Sequence, residues 1–324
     1  MSTLVIINNV AAKARRAWPT IQEELARAGI EYDIYETTAP GDATVRTRAA
    51  LKSGTTTIAV VGGDGTLSEA AEGFFEFGAS AESLPLQLSP EAALAILPAG
   101  TGDDFARGLR GKRAPLQTWI DALIAYIQAG AANTVAVDVL YGRCDSFQKP
   151  FICLNASTMG IGGETARRVA AQRGLMRRLS GEFRFVVAAL GALAVWRERR
   201  VRVLVDDRLF VDASMNLAAV ANALYAGGGM MLSPQARLDD GRLDVVTATR
   251  LSRPGIIREL SRIHSGGHLA NPKVSIAQGR VVRIETFSSS DAMPIEVDGN
   301  VRGLTPVEFR ILPGALRFVI PQPE

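Results

Sequence analysis

An acidic residue within a glycine-rich turn is the feature of this sequence with the clearest chemical meaning. The segment Gly62–Gly65 reads Gly-Gly-Asp-Gly, follows the β-branched run 57–61, and precedes apolar residues at helical spacing from Leu67 to Phe77. A strand, a glycine turn and a helix in this order suit phosphate binding, because glycine adopts positive φ and lets a ligand approach the backbone amides. The start of the helix adds free N–H groups and the positive end of its dipole.

The carboxylate of Asp64 would repel a phosphate at this position, so we expect it to have a second task. A carboxylate placed here can hold Mg²⁺ or take the proton from the group that attacks the phosphate. The alternative interpretation is an ordinary turn between a strand and a helix with an exposed aspartate, since glycine density alone is a weak signal.

A second apolar run ends in a similar way. Leu94–Leu97 precedes Pro98–Asp104, which brings glycines, a threonine and two acids before a short predicted helix. Parallel strands carry these loops at one edge of the sheet, so the two loops are expected to face each other where ligands bind in open α/β sheets. Thr101 and Arg107 would then join the phosphate site, unless Arg107 only caps its helix or pairs with the nearby acids.

Together the two segments resemble a known family. Val61–Thr66, followed by Leu97–Arg107, is similar to the catalytic domain of the diacylglycerol kinase family, which includes bacterial soluble lipid kinases and sphingosine and ceramide kinases. The first motif alone is shared with NAD kinases and 6-phosphofructokinases. The resemblance runs along nearly the whole chain and implies ATP and Mg²⁺ as cofactors. The nucleotide-binding residues expected from the motifs and the resemblance are Asn8, Thr37, Gly62, Gly63, Asp64, Gly65, Thr66, Leu67, Ser68, Thr101 and Arg107.

An Asp-Gly pair in the second half of the chain is a candidate metal site. In the family, a turn of this kind holds Mg²⁺ by one carboxylate and two main-chain carbonyls. By position these are the carboxylate of Asp240 and the carbonyls of Arg237 and Arg242. Oxygen ligands alone suit Mg²⁺. The alternative is a plain Asp-Gly hairpin turn without a metal.

The last motif departs from the family. Asp298-Gly299-Asn300 stands where the resemblance implies Asp-Gly-Glu, with the glutamate as proton acceptor. An amide cannot accept a proton at neutral pH. Either Asp298 or Asp64 then serves as the base, or the enzyme is slow or inactive. Asp103 stands where the family usually has asparagine, so the acid and the amide are exchanged between the two positions, and total site charge would be kept.

Composition narrows the class of protein. The 324 residues are 47% hydrophobic and 21% charged, which predicts a globular protein of about two domains. Two cysteines and two histidines cannot supply a disulfide framework or a histidine-rich metal site, so base catalysis is expected to fall to carboxylates. We expect a cytoplasmic protein, because the start lacks the pattern of a signal peptide and no apolar run is long enough to cross a bilayer.

The order of the predicted elements indicates an α/β protein with two domains. Strands alternate with helices at first, which predicts a doubly wound parallel sheet, NAD-kinase-like by resemblance, over residues 1–132. Period-two alternation then predicts an antiparallel β-sandwich over 133–324. Phe318–Ile320 is expected to return to the first domain. Among the helices, Ala17–Ala28 and Asp42–Lys52 have clear helical spacing.

A helical island interrupts the predicted sandwich. Gly163–Arg178 is rich in arginine, and Glu182–Glu198 is rich in apolar residues. One interpretation is a core-facing helix with solvated arginines. The other is a membrane contact, because clustered arginines near an anionic leaflet contribute about 1 kcal/mol each and an amphipathic helix can lie in the interface.

The sequence therefore predicts an ATP- and Mg²⁺-dependent lipid kinase acting on a hydroxyl of diacylglycerol or of a ceramide- or sphingoid-like lipid. The alternatives are a NAD-kinase-like enzyme with a soluble substrate and a nucleotide-binding regulator with a weakened site. The expected partner is the lipid substrate at the membrane surface, with peripheral membrane contact by a cytoplasmic protein. A homodimer is left open. A net charge of only +3 gives no reason to expect nucleic acid.

Overall fold

The chain folds into two compact units. The computed structural model describes residues 2–78, 83–129, 133–146, 149–172 and 181–322. One unit comprises Met1–Val139 and Pro313–Glu324, and the other comprises Leu140–Leu312. The predicted domain limits, 1–132 and 133–324, stay a prediction.

Seventeen strands and eight α-helices are present in the described residues. The strands are β1 (Thr3–Ile7), β2 (Asp33–Glu36), β3 (Thr57–Gly62), β4 (Phe75–Glu76), β5 (Leu86–Gln87), β6 (Ala93–Pro98), β7 (Thr134–Cys144), β8 (Phe151–Cys153), β9 (Ala156–Gly160), β10 (Arg199–Val205), β11 (Arg208–Ala221), β12 (Leu243–Thr249), β13 (Val274–Gly279), β14 (Val281–Thr286), β15 (Pro294–Val297), β16 (Asn300–Leu304) and β17 (Val307–Val319). The helices are α1 (Ala12–Arg27), α2 (Asp42–Lys52), α3 (Asp64–Glu72), α4 (Asp104–Arg110), α5 (Leu116–Ala129), α6 (Ile161–Ala171), α7 (Gly181–Val195) and α8 (Arg253–Arg262).

The first unit is built on a parallel sheet in the order β2-β1-β3-β6-β17. The last residues of β17 pair in parallel with β6, so the end of the chain completes this sheet, as the sequence predicts. Every residue of β1 and β3 is buried, because helices cover both faces of a parallel sheet of this kind. Their unbroken apolar runs are the reason for this fold, and the predicted doubly wound sheet is confirmed.

One helix boundary in this unit differs from the prediction. Helix α1 begins at Ala12, five residues before the predicted start at Ala17, and Pro19 lies inside it. A proline within a helix removes one backbone hydrogen bond. Burial of Ile21 and Leu25 on one face of the helix offsets that loss. Gly29 ends the helix with φ of +67°, as expected for a glycine after the last turn.

The second unit is an antiparallel β structure of sandwich type, as predicted. Within it β15 pairs with β9, β9 with β11, and β11 with both β10 and β12. Alternate side chains of these strands fill one apolar core, which includes Met159, Ile295 and Val297. The hairpin strand β16 and the helix α8 were missed from the sequence. Gly303 weakens the strand pattern of β16, and α8 is short enough to read as a loop.

The helical island is present in part. Helices α6 and α7 pack on each other. The predicted arginine cluster had five members, of which Arg173, Arg177 and Arg178 lie outside the described residues. The other two, Arg167 and Arg168, each pair with Glu164 at 2.8 Å. No helix in the described part of the chain combines the length and the apolar character needed to cross a membrane.

Candidate functional site

The two glycine loops lie against each other at the edge of the parallel sheet. Strands β3 and β6 pair from Thr57 to Gly62, and the amide of Ala99 donates to the carbonyl of Gly62 at 2.9 Å. A Cβ added to Gly63 would lie 2.9 Å from the Cα of Gly100, and one added to Gly100 would lie 2.5 Å from the Cα of Gly63. Neither position has room for a side chain, so both loops need glycine to meet.

The conformation of the first loop corrects one expectation. Positive φ was predicted for its glycines, but Gly63 is extended at φ −102° and ψ −173°, and no glycine of Gly62–Gly65 adopts the left-handed region. The requirement for glycine is steric. A side chain at Gly62 would also press on Thr66, at 3.1 Å from its Cβ.

Asp64 connects the two loops. Its Oδ2 accepts the amide of Asp104 at 3.0 Å, and its Oδ1 accepts the amide of Phe105 at 2.9 Å. These are the first amides of α4, so the carboxylate satisfies donors that a helix leaves unpaired at its start. The exposed-turn interpretation is therefore wrong. Asp64 as metal-linked catalyst or base stays a prediction.

The amides of the first loop are not equally open to a ligand. Thr66 and Leu67 both donate their N–H to the carbonyl of Gly63 at 3.1 Å. Leu67 and Ser68 are buried in α3. The amides of Asp64 and its neighbour Gly65 precede the first intrahelical bond, so these are the ones that the helix start offers to an anion.

Asn8 brings the end of β1 to the glycine loop. Its Nδ2 donates to Oγ1 of Thr66 at 2.9 Å, and its Oδ1 accepts the amide of Ala11 at 3.2 Å. Thr37 lies beside the same strand end, because its amide donates to the carbonyl of Ile7 at 2.9 Å. Three segments that are distant in sequence thus meet at one edge of the sheet.

Cationic side chains surround the second loop. Lys13 Nζ donates to the carbonyl of Gly100 at 3.1 Å, and Arg113 Nη2 donates to the carbonyls of Thr101 and Gly102 at 2.8 and 3.0 Å. Arg107 Nη2 reaches the carbonyl of Gly102 at 3.4 Å. Sequence reasoning found Arg107 and missed Lys13 and Arg113, which lie outside both motifs.

A small cavity of about 190 Å³ opens beside this loop. It is lined by Pro98, Asp103, Ala106, Arg107, Arg113, Ala114 and Trp119. Asp103 is in the left-handed region at φ 50°, and its Oδ1 accepts the amide of Gly100 at 2.8 Å. Burial raises the pKa of Asp103 to about 6, and the charge on Asp64 adds to that rise. The exchange of charge between Asp103 and Asn300 stays a prediction.

The predicted metal turn is a hydrogen-bonded Asp-Gly turn. Asp240 Oδ1 accepts the amide of Arg242 at 3.0 Å, and Gly241 has φ of +67°. Asp240 is partly exposed, while Arg237 and Arg242 are exposed. A reachable carboxylate beside backbone carbonyls is a donor set of the kind Mg²⁺ accepts. In the described part of the chain, no three histidine, cysteine or acidic side chains cluster to hold a metal.

Asp298 anchors the hairpin of β15 and β16. It adopts φ of 43° and the next residue, Gly299, φ of 89°, which suits a tight hairpin turn. Its Oδ2 accepts the amide of Leu154 at 2.8 Å, and its Oδ1 accepts the amide of Asn155 at 3.0 Å. Asn300 is exposed at the start of β16.

Sequence reasoning missed a carboxylate on the same hairpin. Glu296 Oε2 accepts the hydroxyl of Thr158 at 2.5 Å, and its Oε1 accepts the amide of Gly299 at 2.5 Å. Burial raises the pKa of Glu296 to about 7. The alternation of β15 could have revealed it, because Ile295 and Val297 are buried in the core and Glu296 faces the other way.

Family models match both halves of the chain. One described as "YegS C-terminal NAD kinase beta sandwich-like domain" matches residues 158–320, and one described as "Diacylglycerol kinase catalytic domain" matches residues 2–143. The chain belongs to the diacylglycerol kinase family. It is therefore a phosphotransferase with an alcohol group as acceptor.

Relatives with assigned names cover nearly the whole chain. A protein of Staphylococcus carnosus named "Diacylglycerol kinase" is 29% identical over 310 residues, which is 94% of this chain and 90% of the relative. A protein of Stenotrophomonas maltophilia named "Probable lipid kinase YegS-like" is 27% identical over 293 residues, which is 90% of this chain and 88% of the relative.

Solved structures share the fold. A diacylglycerol kinase from Bacillus anthracis has a TM-score of 0.67 at 20% identity and covers 98% of this chain and 96% of its own. Yeast NADH kinase has a TM-score of 0.54 at 12% identity and covers 99% of this chain and 84% of its own. The predicted NAD-kinase-like architecture is confirmed at the level of fold.

The contact between the glycine loops predicts a steric effect. In Gly63→Ala the new methyl group overlaps the Cα of Gly100, so the loops must separate, and such overpacking costs about 1–3 kcal/mol. We expect at least about tenfold weaker ATP binding by calorimetry. Gly267→Ala is the control, because its nearest neighbour would be 3.5 Å away. Unchanged ATP affinity in a folded Gly63→Ala protein would remove this loop from the nucleotide site.

The hydrogen bonds that Asp64 accepts predict that its replacement destabilises the fold. Asp64→Asn turns one acceptor into an N–H donor facing the amides of α4, which costs about 1–3 kcal/mol in the free energy of unfolding. Asp206→Asn is the matched control, since Oδ1 of that exposed aspartate also accepts two amides, at 2.8 and 2.9 Å. Urea unfolding measures both. Equal effects of the two changes would show that Asp64 has no special role in joining the loops.

The raised pKa of Asp103 predicts that the difference in stability between Asp103→Asn and the unchanged protein depends on pH. Because its pKa rises from 3.8 to about 6 on folding, the native state holds this proton more tightly, and the contribution to stability is lost as pH rises between these values. The free energy of unfolding of Asp103→Asn, relative to the unchanged protein, should therefore increase across this range and level off above it. A difference that stays constant with pH would mean that Asp103 has an ordinary pKa.

Proposed function

We propose that this protein is an ATP-dependent lipid kinase that phosphorylates a hydroxyl of diacylglycerol or of a ceramide- or sphingoid-like lipid. The observation that carries the proposal is the meeting of the two glycine loops, held by Asp64, in a chain of the diacylglycerol kinase family. Relatives that match along nearly the full length bear the names diacylglycerol kinase and lipid kinase.

The first unit supplies the nucleotide site in this proposal. The amides of Asp64 and Gly65 and the hydroxyl of Thr101 bind phosphate oxygens, and Asn8 and Thr37 line the same edge of the sheet. Lys13, Arg107 and Arg113 balance the phosphate charge, since the loop lacks the lysine of nucleoside triphosphatase loops. All three cations already contact carbonyls of the second loop, and their contacts support the proposal.

Mg²⁺ belongs to the proposal as a second cofactor. Asp240, with the carbonyls of Arg237 and Arg242, would hold it, and the ion would supply positive charge. The loop cations and the helix start stabilise the charge that develops on the transferred phosphoryl group.

The proposed membrane contact is supported by helix α7. Phe183, Val186 and Leu190 are exposed and follow one face at helical spacing, together with Val187. The opposite face is buried through Ala188 and Ala192. The helix is thus apolar on both faces, and an exposed apolar stripe of this kind suits the interface of a membrane that carries the lipid substrate.

A substrate panel tests the proposed function. The protein is incubated with radiolabelled ATP and Mg²⁺, and with diacylglycerol, ceramide, a sphingoid base or NAD as acceptor. Phosphate on a lipid and none on NAD supports the proposal. Transfer to NAD alone would favour the NAD-kinase-like alternative. ATP binding without transfer to any acceptor would favour the regulator, for which the exposed amide at Asn300 is the best support.

The exposed apolar stripe of α7 predicts that charged substitutions there weaken binding to lipid vesicles. Val186→Glu with Leu190→Glu places two charges on the apolar face of α7, so we expect at least about tenfold weaker binding to anionic vesicles, since each buried apolar side chain contributes about 1.5–3 kcal/mol. Activity on a short-chain soluble lipid should persist. Leu209→Glu, an equally exposed change elsewhere, is the control. Loss of activity on both substrates would indicate a structural role for the stripe.

A further inference from the structure

The segment from Arg250 to Lys273, which contains helix α8, combines exposed cations with exposed apolar side chains. Its cations are Arg250, Arg253, Arg258, Arg262 and Lys273, and its one acid is Glu259. Glu259 is 8% exposed, accepts Nδ2 of Asn271 at 2.8 Å, and lies 3.4 Å from Nη1 of Arg262. The segment therefore shows positive charge to the solvent, because its single negative charge is buried and paired.

The spacing of α8 separates its buried side from an exposed apolar stripe. The buried side is formed by residues three and four positions apart, Ile256, Glu259 and Ile263. Arg253, Ile257 and Leu260 follow a second line along the helix with similar spacing, and all three are exposed. Arg258 follows Ile257 and is exposed as well. Two arginines thus border the apolar pair Ile257 and Leu260.

The buried side of α8 is fixed to the sheet of the second unit. Asn216 of β11 accepts the amide of Leu251 at 2.7 Å, and its Nδ2 donates to the carbonyl of the same residue at 3.2 Å. At the other end of the helix, Ile263 is buried in an apolar cluster with Ala219 and Val246 of the strands. The exposed line therefore belongs to a helix that is held at both ends, so it is a preformed surface.

Helix α6 covers the same face of this sheet. Leu217 packs against the cluster at the end of α8, and its Cδ1 would lie 3.4 Å from a Cβ on Gly162 at the start of α6. A Cβ on Gly162 would also lie 2.5 Å from Oγ1 of Thr158. One on Gly163 would lie 2.0 Å from the carbonyl oxygen of Pro294, so these glycines let the α6 backbone lie directly on β9 and β15.

The acids of the elements around α8 do not balance its charge. Glu164 of α6 pairs with two arginines of its own helix, each at 2.8 Å. Asp212 of β11 pairs with Arg200 at 3.1 Å, and Asp244 of β12 is buried at 1% exposure. Strands β9 and β13 contain no acid. The exposed arginines of α8 thus suit a partner that brings negative charge of its own.

We propose that the exposed side of α8 docks on an anionic membrane surface. Ile257 and Leu260 enter the interface between headgroups and acyl chains, while Arg253 and Arg258 keep their charges at the lipid phosphates. A protein partner fits less well, because a specific protein interface buries about 800 Å² on each side and two aliphatic side chains supply little of that. The inference rests on the proposed function, since a kinase of membrane lipids has to reach its substrate.

Charge reversal on α8 is the primary test. The unchanged protein and Arg253→Glu with Arg258→Glu are sedimented with phosphatidylcholine vesicles that contain phosphatidylglycerol. We expect at least about tenfold weaker binding by the variant at low salt, and a smaller difference at high salt, where ions screen the charges. Arg208→Glu with Arg280→Glu makes the same change in charge at exposed positions elsewhere in the unit, and it should bind normally. Equal losses in both variants would overturn the proposal.

A fluorescent probe on the stripe tests direct contact. Leu260→Cys can be labelled selectively with an environment-sensitive dye, since the native Cys144 and Cys153 are both buried. We expect blue-shifted and brighter emission when anionic vesicles are added, and no change with phosphatidylcholine alone. Leu209→Cys, at an exposed position on β11, is the control and should not respond. Sedimentation with the vesicles but no response at Leu260→Cys would place the contact elsewhere and overturn the proposal.

A second copy of the chain is the other occupant that the experiments can detect. Analytical ultracentrifugation without lipid should give the same mass for the unchanged protein and for Arg253→Glu with Arg258→Glu. A dimer that is lost only in this variant, with vesicle binding unchanged, would make the surface an interface between copies and overturn the proposal.

Vesicle binding needs no ATP, so its result is independent of the acceptor panel. A protein that binds anionic vesicles through α8 and phosphorylates NAD alone would disprove the lipid assignment and support the docking surface. A lipid kinase whose vesicle binding is unaffected by charge reversal on α8 would do the opposite.

Discussion

The meeting of the two glycine loops depends on a backbone contact between two glycines. Strands β3 and β6 are adjacent and parallel, so the loops that follow them leave the same edge of the sheet. The Cα atoms of Gly63 and Gly100 come so close that any Cβ would overlap the other chain segment. Only this approach lets the carboxylate of Asp64 reach the amides at the start of α4. The sheet sets the spacing, and the glycines make it sterically possible.

Both units use an aspartate in the same way. Asp64 binds the first amides of α4, and Asp298 binds the amides of Leu154 and Asn155. In each case, a charged acceptor satisfies two backbone donors of a segment distant in sequence, and such bonds are stronger than those between neutral groups. An acid in a motif can therefore be required for the geometry of a site whether or not it also takes part in the chemistry.

The sequence was sufficient to predict the parallel sheet and the two glycine loops. It was insufficient to predict the cationic side chains that surround the second loop. Buried strands such as β1 and β3 are continuous apolar runs, so their parallel pairing could be predicted from local pattern. The contacts of Lys13 and Arg113 could not be predicted, because their partners are carbonyls distant in sequence. A single cation in a helix or loop has no sequence pattern that would indicate such a contact. The φ prediction failed at Gly63, since sequence does not distinguish a glycine needed for space from one needed for conformation.

The position of an acid in this hairpin decides its strength as a base. A carboxylate at the exposed position 300 would be hydrated, so burial would not raise its pKa. Two glycines allow α6 to cover the strand face that bears Glu296, and desolvation there raises the pKa to about 7. The basicity of Glu296 thus comes from the packing of a helix on a strand. A comparison of residues 298–300 alone therefore does not describe the buried carboxylate that lies two residues earlier on the same hairpin.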